Sequence, residues 1–442
     1  MESGGQVPAQ SWGARGVQIA VTGSLRPLHA LIVAPAPLFL LMLAAMLFHS
    51  ADVPFYELDR ITFLLLVFVV GLRMLAQHDP LRLTGPVIWP MAGLLLLAAF
   101  SLLRHPYDAE AWSVFAAKWL VPFTLFELAG SVFCDVAALR KFGTFAIVVL
   151  AYLSLIAVFF LLDFKSWIFP RYILDESIGI HADRARGPFL QAVANGVSLN
   201  LLALIALDAF RRRRLPGMVA LALAAIVPLA ALATKTRAVW LSFSGSVVLL
   251  LFSHFPRVRR TCLILAVAGG VGLVTMAFMG SQDDTMTERL QERSPVDFRM
   301  AVYQAGWEMF LEKPLLGWDP EEMQSELTRR ISDFHQEAFY FHNTYLEIVV
   351  EHGLLGLGLY IWLVTDLFRL GRQHQPHSPS PEGTFLDEGF RSIWPVMLGV
   401  YLLHACFVVM NYQFVNGLLF TMAGVLAAQN RRALPQFHAS AL

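Results

Sequence analysis

Charge is what this sequence has least of. Only 15% of its 442 residues are Asp, Glu, Lys or Arg, against roughly 25% in an average soluble domain. Alongside 57% hydrophobic residues, that scarcity excludes an ordinary soluble fold and marks an integral membrane protein. Net charge is zero, from 33 basic and 33 acidic residues, so the whole-chain balance gives no sign of nucleic acid and no nucleic-acid partner is expected. Cysteine is nearly as scarce. Cys134, Cys262 and Cys406 lie far apart, in or beside apolar stretches. That spacing fits neither a disulfide framework nor a metal cluster and reads as core packing.

Long apolar runs are what the chain has instead. Residues 1–27 are polar and Gly-rich, with Arg15 and Arg26. The run that follows, Leu28 to Phe48, exceeds the h-region of a cleaved signal peptide and has no small-residue cleavage site after it, so it reads as a first membrane helix. Runs long enough to span a bilayer recur at 28–49, 61–77, 86–103, 112–132, 142–162, 189–209, 216–233, 238–254, 261–280, 343–369, 392–410 and 413–429. The fold class this predicts is an all-α polytopic membrane protein with about twelve transmembrane helices. The basic clusters test the count: Arg140 with Lys141, the four arginines at 211–214, Arg257 with Arg259 and Arg260, Arg369 with Arg372, and Arg431 with Arg432. With twelve spans, every cluster falls on the side of the N-terminus, which the positive-inside rule makes the cytoplasm.

The opposite face carries the long loops, at 163–188 and 281–341. In the larger one, Met300, Tyr303, Trp307, Phe310 and Leu311 recur at helical spacing, so an amphipathic helix is expected to lay that face on the bundle. A second helix is expected to start at Asp319, with Pro320 in its first turn. The organisation is thus a cytoplasmic segment 1–27, spans one to nine over 28–280, an outer helical cap over 281–341, spans ten to twelve over 342–430, and a cytoplasmic tail 431–442. No DxD pair or His/Asp/Glu cluster in the outer loops would hold a divalent ion, so no metal and no cofactor is expected.

Four outward stretches hold polar groups that a membrane protein rarely keeps. HADRARGPFLQAVANG, residues 181–196, sets Arg184 and Arg186 before an apolar helix that carries Asn195. Arginines flanking a span commonly snorkel to headgroups, but these lie on the face where few cations are expected. ATKTRAVWLSFSGS, residues 233–246, puts Lys235 and Arg237 between two hydroxyls in a tight turn, a combination suited to phosphate oxygens or simply to water. Arg299 and Tyr303 share the loop helix, where a solvated face is the plain alternative. Finally, FHNTYLEIVVEHGLLGLGLY, residues 341–360, opens a span with His342 and stacks Asn343, Glu347 and Glu351 on one helical face. Carboxylates inside a span default to a functional reading, and a histidine at the mouth can titrate near neutral pH. Gly353, Gly356 and Gly358 below it permit close helix packing. Together these predict an outer cavity lined by cations with one candidate base, suited to a diphosphate leaving group and a hydroxyl acceptor.

These residues resemble a known family. HNTYLEIVVEHGLLGLGLY is similar to the signature of the O-antigen ligase and O-antigen polymerase superfamily. YQAGWEMFLEKPLLGW resembles its amphipathic loop segment, TKTRAVWLS its short Arg turn, and RARGPFLQAVANG its Arg–Gly–Phe–Asn segment, with LQAVAN where Asn-Pro-Asn is common. The resemblance covers roughly residues 181–365. It implies a GT-C-like glycosyltransferase with a helical periplasmic cap, in the bacterial inner membrane. The implied reaction moves a glycan from undecaprenyl diphosphate to a hydroxyl of the lipid A core, without metal or nucleotide. Carried over to this sequence, His342 is the acceptor-activating base, Arg184 or Arg186 with Arg237 and Lys235 bind the diphosphate, and Arg299 is a donor contact. Asn343, Glu347, Glu351, Asn195 and Tyr303 support them. Three alternatives stay open: an O-antigen polymerase, a protein O-oligosaccharyltransferase, and, from another class, a lipid-linked oligosaccharide flippase. Membrane lipids are the expected surroundings, and the oligomeric state stays open.

Overall fold

The structure, a computed structural model, describes residues 34–48, 57–77, 85–211, 214–251, 293–331, 341–372 and 390–432. The segment 1–27, the ninth apolar run at 261–280, the basic residues at 257–260, Cys262 and the tail beyond 432 lie outside them. Cys134 and Cys406 are half-buried rather than core.

Among the described residues the chain is helical and contains no strand. The helices are α1 Ala36–Leu47, α2 Leu58–Gln77, α3 Ile88–Leu103, α4 Ala109–Val132, α5 Val136–Leu161, α6 Ala192–Arg211, α7 Gly217–Ala233, α8 Arg237–Leu251, α9 Arg293–Glu312, α10 Pro320–Arg330, α11 Thr344–Arg372, α12 Phe390–Ala405 and α13 Gln413–Arg432. Polar caps set several starts. Asp108 accepts the Glu110 and Ala111 N–H groups at 3.0 and 3.3 Å, and Asp135 accepts that of Ala138 at 2.7 Å. Helices α4, α5, α6 and α11 are long and apolar enough to cross a membrane, while α1, α3, α7 and α8 are apolar but shorter.

Packing between apolar helices in lipid rests on close contact and internal hydrogen bonds. Helix α13 runs against α4 at the Phe126 backbone, where Gly424 has no room for a side chain. A buried polar chain crosses the bundle interior. Asn200 on α6 donates to Ser242 of α8 at 2.9 Å, Ser246 donates back to Asn200 at 3.1 Å, and the His404 ring of α12 lies 3.5 Å from Ser242. Each such bond contributes about 0.6–2 kcal/mol and fixes helix rotation.

Helices α9 and α10 pack on each other and on the start of α11 through Val302, Ala305, Met309, Leu327, Phe341 and Val350. Arg330 of α10 reaches Glu312 of α9 at 2.7 Å and joins the pair. Asp319 begins α10 as expected, but its side chain makes no cap bond. It instead accepts from Ser101 at 3.0 Å and lies 3.3 Å from His105, which ties α10 to the end of α3. The expected inward face of α9 is corrected. Trp307 and Leu311 are 55% and 60% exposed and Met300 is also exposed, whereas Phe310 is buried as expected together with Val302, Ala305 and Met309, and Tyr303 borders them. The reason is size: Gly306 meets Phe341 and Leu346, so the narrow small-residue face makes the close approach and the bulky face turns outward. That outward face is of the kind that lies in a membrane interface.

Candidate active site

Local chemistry fixes the segment before α11. Asn343 caps the helix, its Oδ1 accepting the Tyr345 and Leu346 N–H groups at 2.9 and 3.1 Å. Thr344 donates to the Val408 carbonyl at 2.8 Å and accepts the Met410 N–H at 3.0 Å, while Tyr345 donates to Leu402 at 2.8 Å. His342, just outside the cap, has φ 49°, in the left-handed region. Such a backbone costs about 1–3 kcal/mol and persists only where its surroundings hold it. Here Phe298 stands edge-on to the imidazole at 6.4 Å between centroids, and the Tyr303 hydroxyl lies 3.5 Å from the His342 carbonyl. Burial, and then the charge of Arg299, holds the His342 imidazole below the ordinary histidine range. It is therefore neutral and able to accept a proton at neutral pH. Its ring nitrogens make no hydrogen bond with a described residue. The Arg299–Tyr303 pair of α9 and the His342–Asn343 pair before α11 thus converge.

Below this segment α11 is broken. Gly353 has φ 61° and ψ −161°, and the turn 313–318 docks against the break. Leu354 and Leu355 donate to the Pro314 and Leu315 carbonyls at 2.8 and 3.3 Å, and Trp318 donates to the Val350 carbonyl at 2.8 Å. The KPLLGW stretch therefore satisfies backbone groups that a break inside a span leaves open. Only glycine fits at 353, because a Cβ would collide with the Leu315 backbone. The reading of three packing glycines holds unevenly, since Gly358 has no neighbour within 4 Å.

Neither the Glu347 nor the Glu351 carboxylate bonds to His342. They meet Lys118 instead, whose Nζ lies 3.4 Å from Glu347 and 3.1 Å from Glu351. Lys118 is 6% exposed and sits in a π-helical turn, Ala116–Leu120, inside α4. His352, also buried, lies 3.5 Å from Glu351. Sequence reasoning missed Lys118, although a signal existed: two carboxylates in a span need a cation, and Lys118 is the one lysine inside an expected span.

The arginine loop is differently made. Arg186 is 1% exposed; it donates to the carbonyls of Ile173 at 3.0 Å and Ile178 at 2.6 Å, and to that of Asp175. It folds its own loop. Asn195 donates to the Ala185 carbonyl at 2.8 Å, and Ala185 N–H donates to Ala233 at 3.0 Å, which joins this loop to the α7–α8 turn. Lys235 in that turn donates to the Asp183 carbonyl at 2.9 Å. Arg184 is half-buried beside them, 3.9 Å from the Asp183 carboxylate, and Arg237 is exposed with no ion pair to a described residue. So Arg184 and Lys235 meet at Asp183, which lines a groove of about 410 Å³ with Phe160, Lys165 and Glu176, and Arg237 follows Lys235 at the start of α8. The segment 405–414 connects the two polar regions, since Thr344 bonds its Met410 and the Phe189 ring contacts Phe414 at 5.8 Å.

Residues 220–361 match the model of a family described as O-antigen ligase. That stretch holds Lys235, Arg237, Arg299, Tyr303, His342, Asn343, Glu347 and Glu351, and leaves out Arg184, Arg186 and Asn195. The chain is also similar to the exopolysaccharide production protein ExoQ of Rhizobium meliloti (strain 1021), 30% identical over 190 residues. The alignment spans 40% of this chain and 41% of that relative. The matched stretch runs from α7 through the His342 cap into α11, and over it the chain is similar to that family.

Proposed function

We propose that this protein is an O-antigen ligase. It transfers a glycan from undecaprenyl diphosphate to a sugar hydroxyl of the lipid A core at the periplasmic face of the inner membrane. The observation that carries the reading is His342, beside the helix cap, whose ring nitrogens make no hydrogen bond with a described residue and whose imidazole is held below the ordinary histidine range by burial and Arg299. In the reaction His342 takes the acceptor hydroxyl proton as the acceptor oxygen bonds to the anomeric carbon. The bond from that carbon to the diphosphate breaks, and the leaving diphosphate keeps the electron pair. Its charge is met by Arg184, Lys235 and Arg237, with Arg299 nearer the base. Arg186, whose donors already face carbonyls, is left to hold the loop. Twelve spans with both termini in the cytoplasm put this end of the bundle outside, with the fold of a GT-C-like enzyme.

A second reading has one observation behind it. The similar Rhizobium protein carries a name from exopolysaccharide production, which favours a polymerase using the same donor chemistry but a second lipid-linked glycan as acceptor. The lipopolysaccharide gel profile of cells lacking the protein, complemented with wild type or His342→Ala, separates the two. Bare lipid A core with polymer accumulating on the carrier, unrescued by His342→Ala, supports the ligase. Core capped by a single repeat unit supports the polymerase, and full rescue by His342→Ala removes the base.

A further inference from the structure

Helix α11 places His342, yet the break at Gly353 cuts its first turns, 344–352, from the remainder. Continuity of the helix therefore does not fix the direction of the segment that carries the base. Something else must, and the strongest attachment in reach is ionic. Lys118 presents its ammonium to two successive turns of that segment, at 3.4 Å to Glu347 and 3.1 Å to Glu351. All three side chains are largely shielded, Lys118 at 6% exposure and both glutamates at 15%. The π turn at Ala116–Leu120 widens the hydrogen-bond spacing around Lys118 by one residue relative to α-helix, a local departure that commonly marks functional sites. Lys118 also lines, with Thr344 and Tyr360, a cavity of about 20 Å³, space for about one water. Among the described residues one Glu347 oxygen and the His352 Nε2 lack hydrogen-bond partners, and His352 stands 3.5 Å from Glu351, so Lys118 is the only group bridging both carboxylates.

We infer that Lys118 is a positioning residue for His342, clamping the severed first turns of α11 through Glu347 and Glu351. The inference rests on the proposed role of His342 as base. Lys118 touches no reacting atom; it sets where the His342 cap stands relative to the bound diphosphate. A displacement of about 1 Å at such a base lowers turnover on the order of a hundredfold while leaving donor binding in place.

The test uses the full chain purified into nanodiscs, with polyprenyl-diphosphate-linked glycan as donor and lipid A core as acceptor. Wild type, His342→Ala, Lys118→Met, Lys118→Arg and Glu351→Gln are compared for kcat, donor KM and melting temperature. Expected for Lys118→Met is a kcat loss of about tenfold to a hundredfold, with donor KM within about twofold. Lys118→Arg, which keeps the charge, recovers most of the rate. Where Lys118→Met does not fold, Glu351→Gln decides, because it removes one arm of the clamp and leaves Lys118 paired with Glu347. Wild-type kcat in whichever variant decides, or a loss confined to donor KM, overturns the inference. Inactive His342→Ala beside fully active Lys118→Met refutes the clamp alone. Active His342→Ala refutes the proposed base itself.

Discussion

The loop around Arg186 and the segment around His342 stand at the same end of the bundle and use polar groups in opposite ways. At Arg186 the guanidinium nitrogens face backbone carbonyls of residues 173–178, and the side chain is sealed from solvent. At His342 the backbone is held in a left-handed conformation by its neighbours while the ring nitrogens bond to no described residue. One region uses charge to build itself, and the other uses structure to present a group. Arginine at a membrane boundary is therefore an ambiguous sign. Two arginines separated by one residue divide the roles between them, Arg186 sealed inward and Arg184 half-buried beside Asp183, which Lys235 also meets.

The largest effect should come from the presented group. His342→Ala is expected to lower transfer by about 10²–10⁴-fold, the usual contribution of a general base, with the melting temperature of wild type. A variant that transfers normally would leave the His342 segment as scaffold and erase the contrast. Next comes the building arginine. Arg186→Met leaves three carbonyls unpaired, each at a cost of about 1–3 kcal/mol where buried, so a marked fall in melting temperature is expected. Arg184→Ala should instead raise donor KM and melt as wild type does. If the two melt alike, the division of labour is wrong. A smaller loss follows Gly353→Ala, where a left-handed φ and the Leu315 backbone both oppose a methyl group. The backbone conformation alone costs about 1–3 kcal/mol and the clash with Leu315 adds to it, read as a lower melting temperature together with a lower kcat.

The helical elements were legible because apolar runs and caps are local signals. Helices stand over the apolar runs at 86–103, 112–132 and 216–233 to within a few residues, whereas Asn343, expected on the helical face of Glu347 and Glu351, is the cap that precedes it. What escaped reading depends on contacts remote in sequence. Glu347 and Glu351 were plain, but their partner Lys118 lies 233 positions from Glu351. The outward turn of Trp307 and Leu311 was hidden because α9 is apolar on two faces, and only the close approach at Gly306 chooses between them. Arg186 looked like a ligand-binding cation since its carbonyl partners carry no side-chain signature. The break at Gly353 needed the turn at 313–318 to reveal it.

The subtlest difference between the two regions is electrostatic. Burial comes first in depressing the His342 imidazole, and the Arg299 charge adds to it. A base must be unprotonated to act, so transfer should rise with pH through the His342 pKa and level off above it. Arg299→Gln removes the nearby cation, which makes imidazolium less unfavourable and raises that pKa. The acid limb of kcat/KM against pH should then move to higher pH, while the plateau rate changes little if Arg299 acts only on the base. Arg184→Gln, which is in the other cluster and has no part in the His342 shift, should leave the acid limb where it is. A limb that moves equally in both variants would mean that the cations act on His342 as one diffuse field. A limb that moves only for Arg299→Gln, with the plateau falling as well, would place Arg299 against the donor in addition to the base.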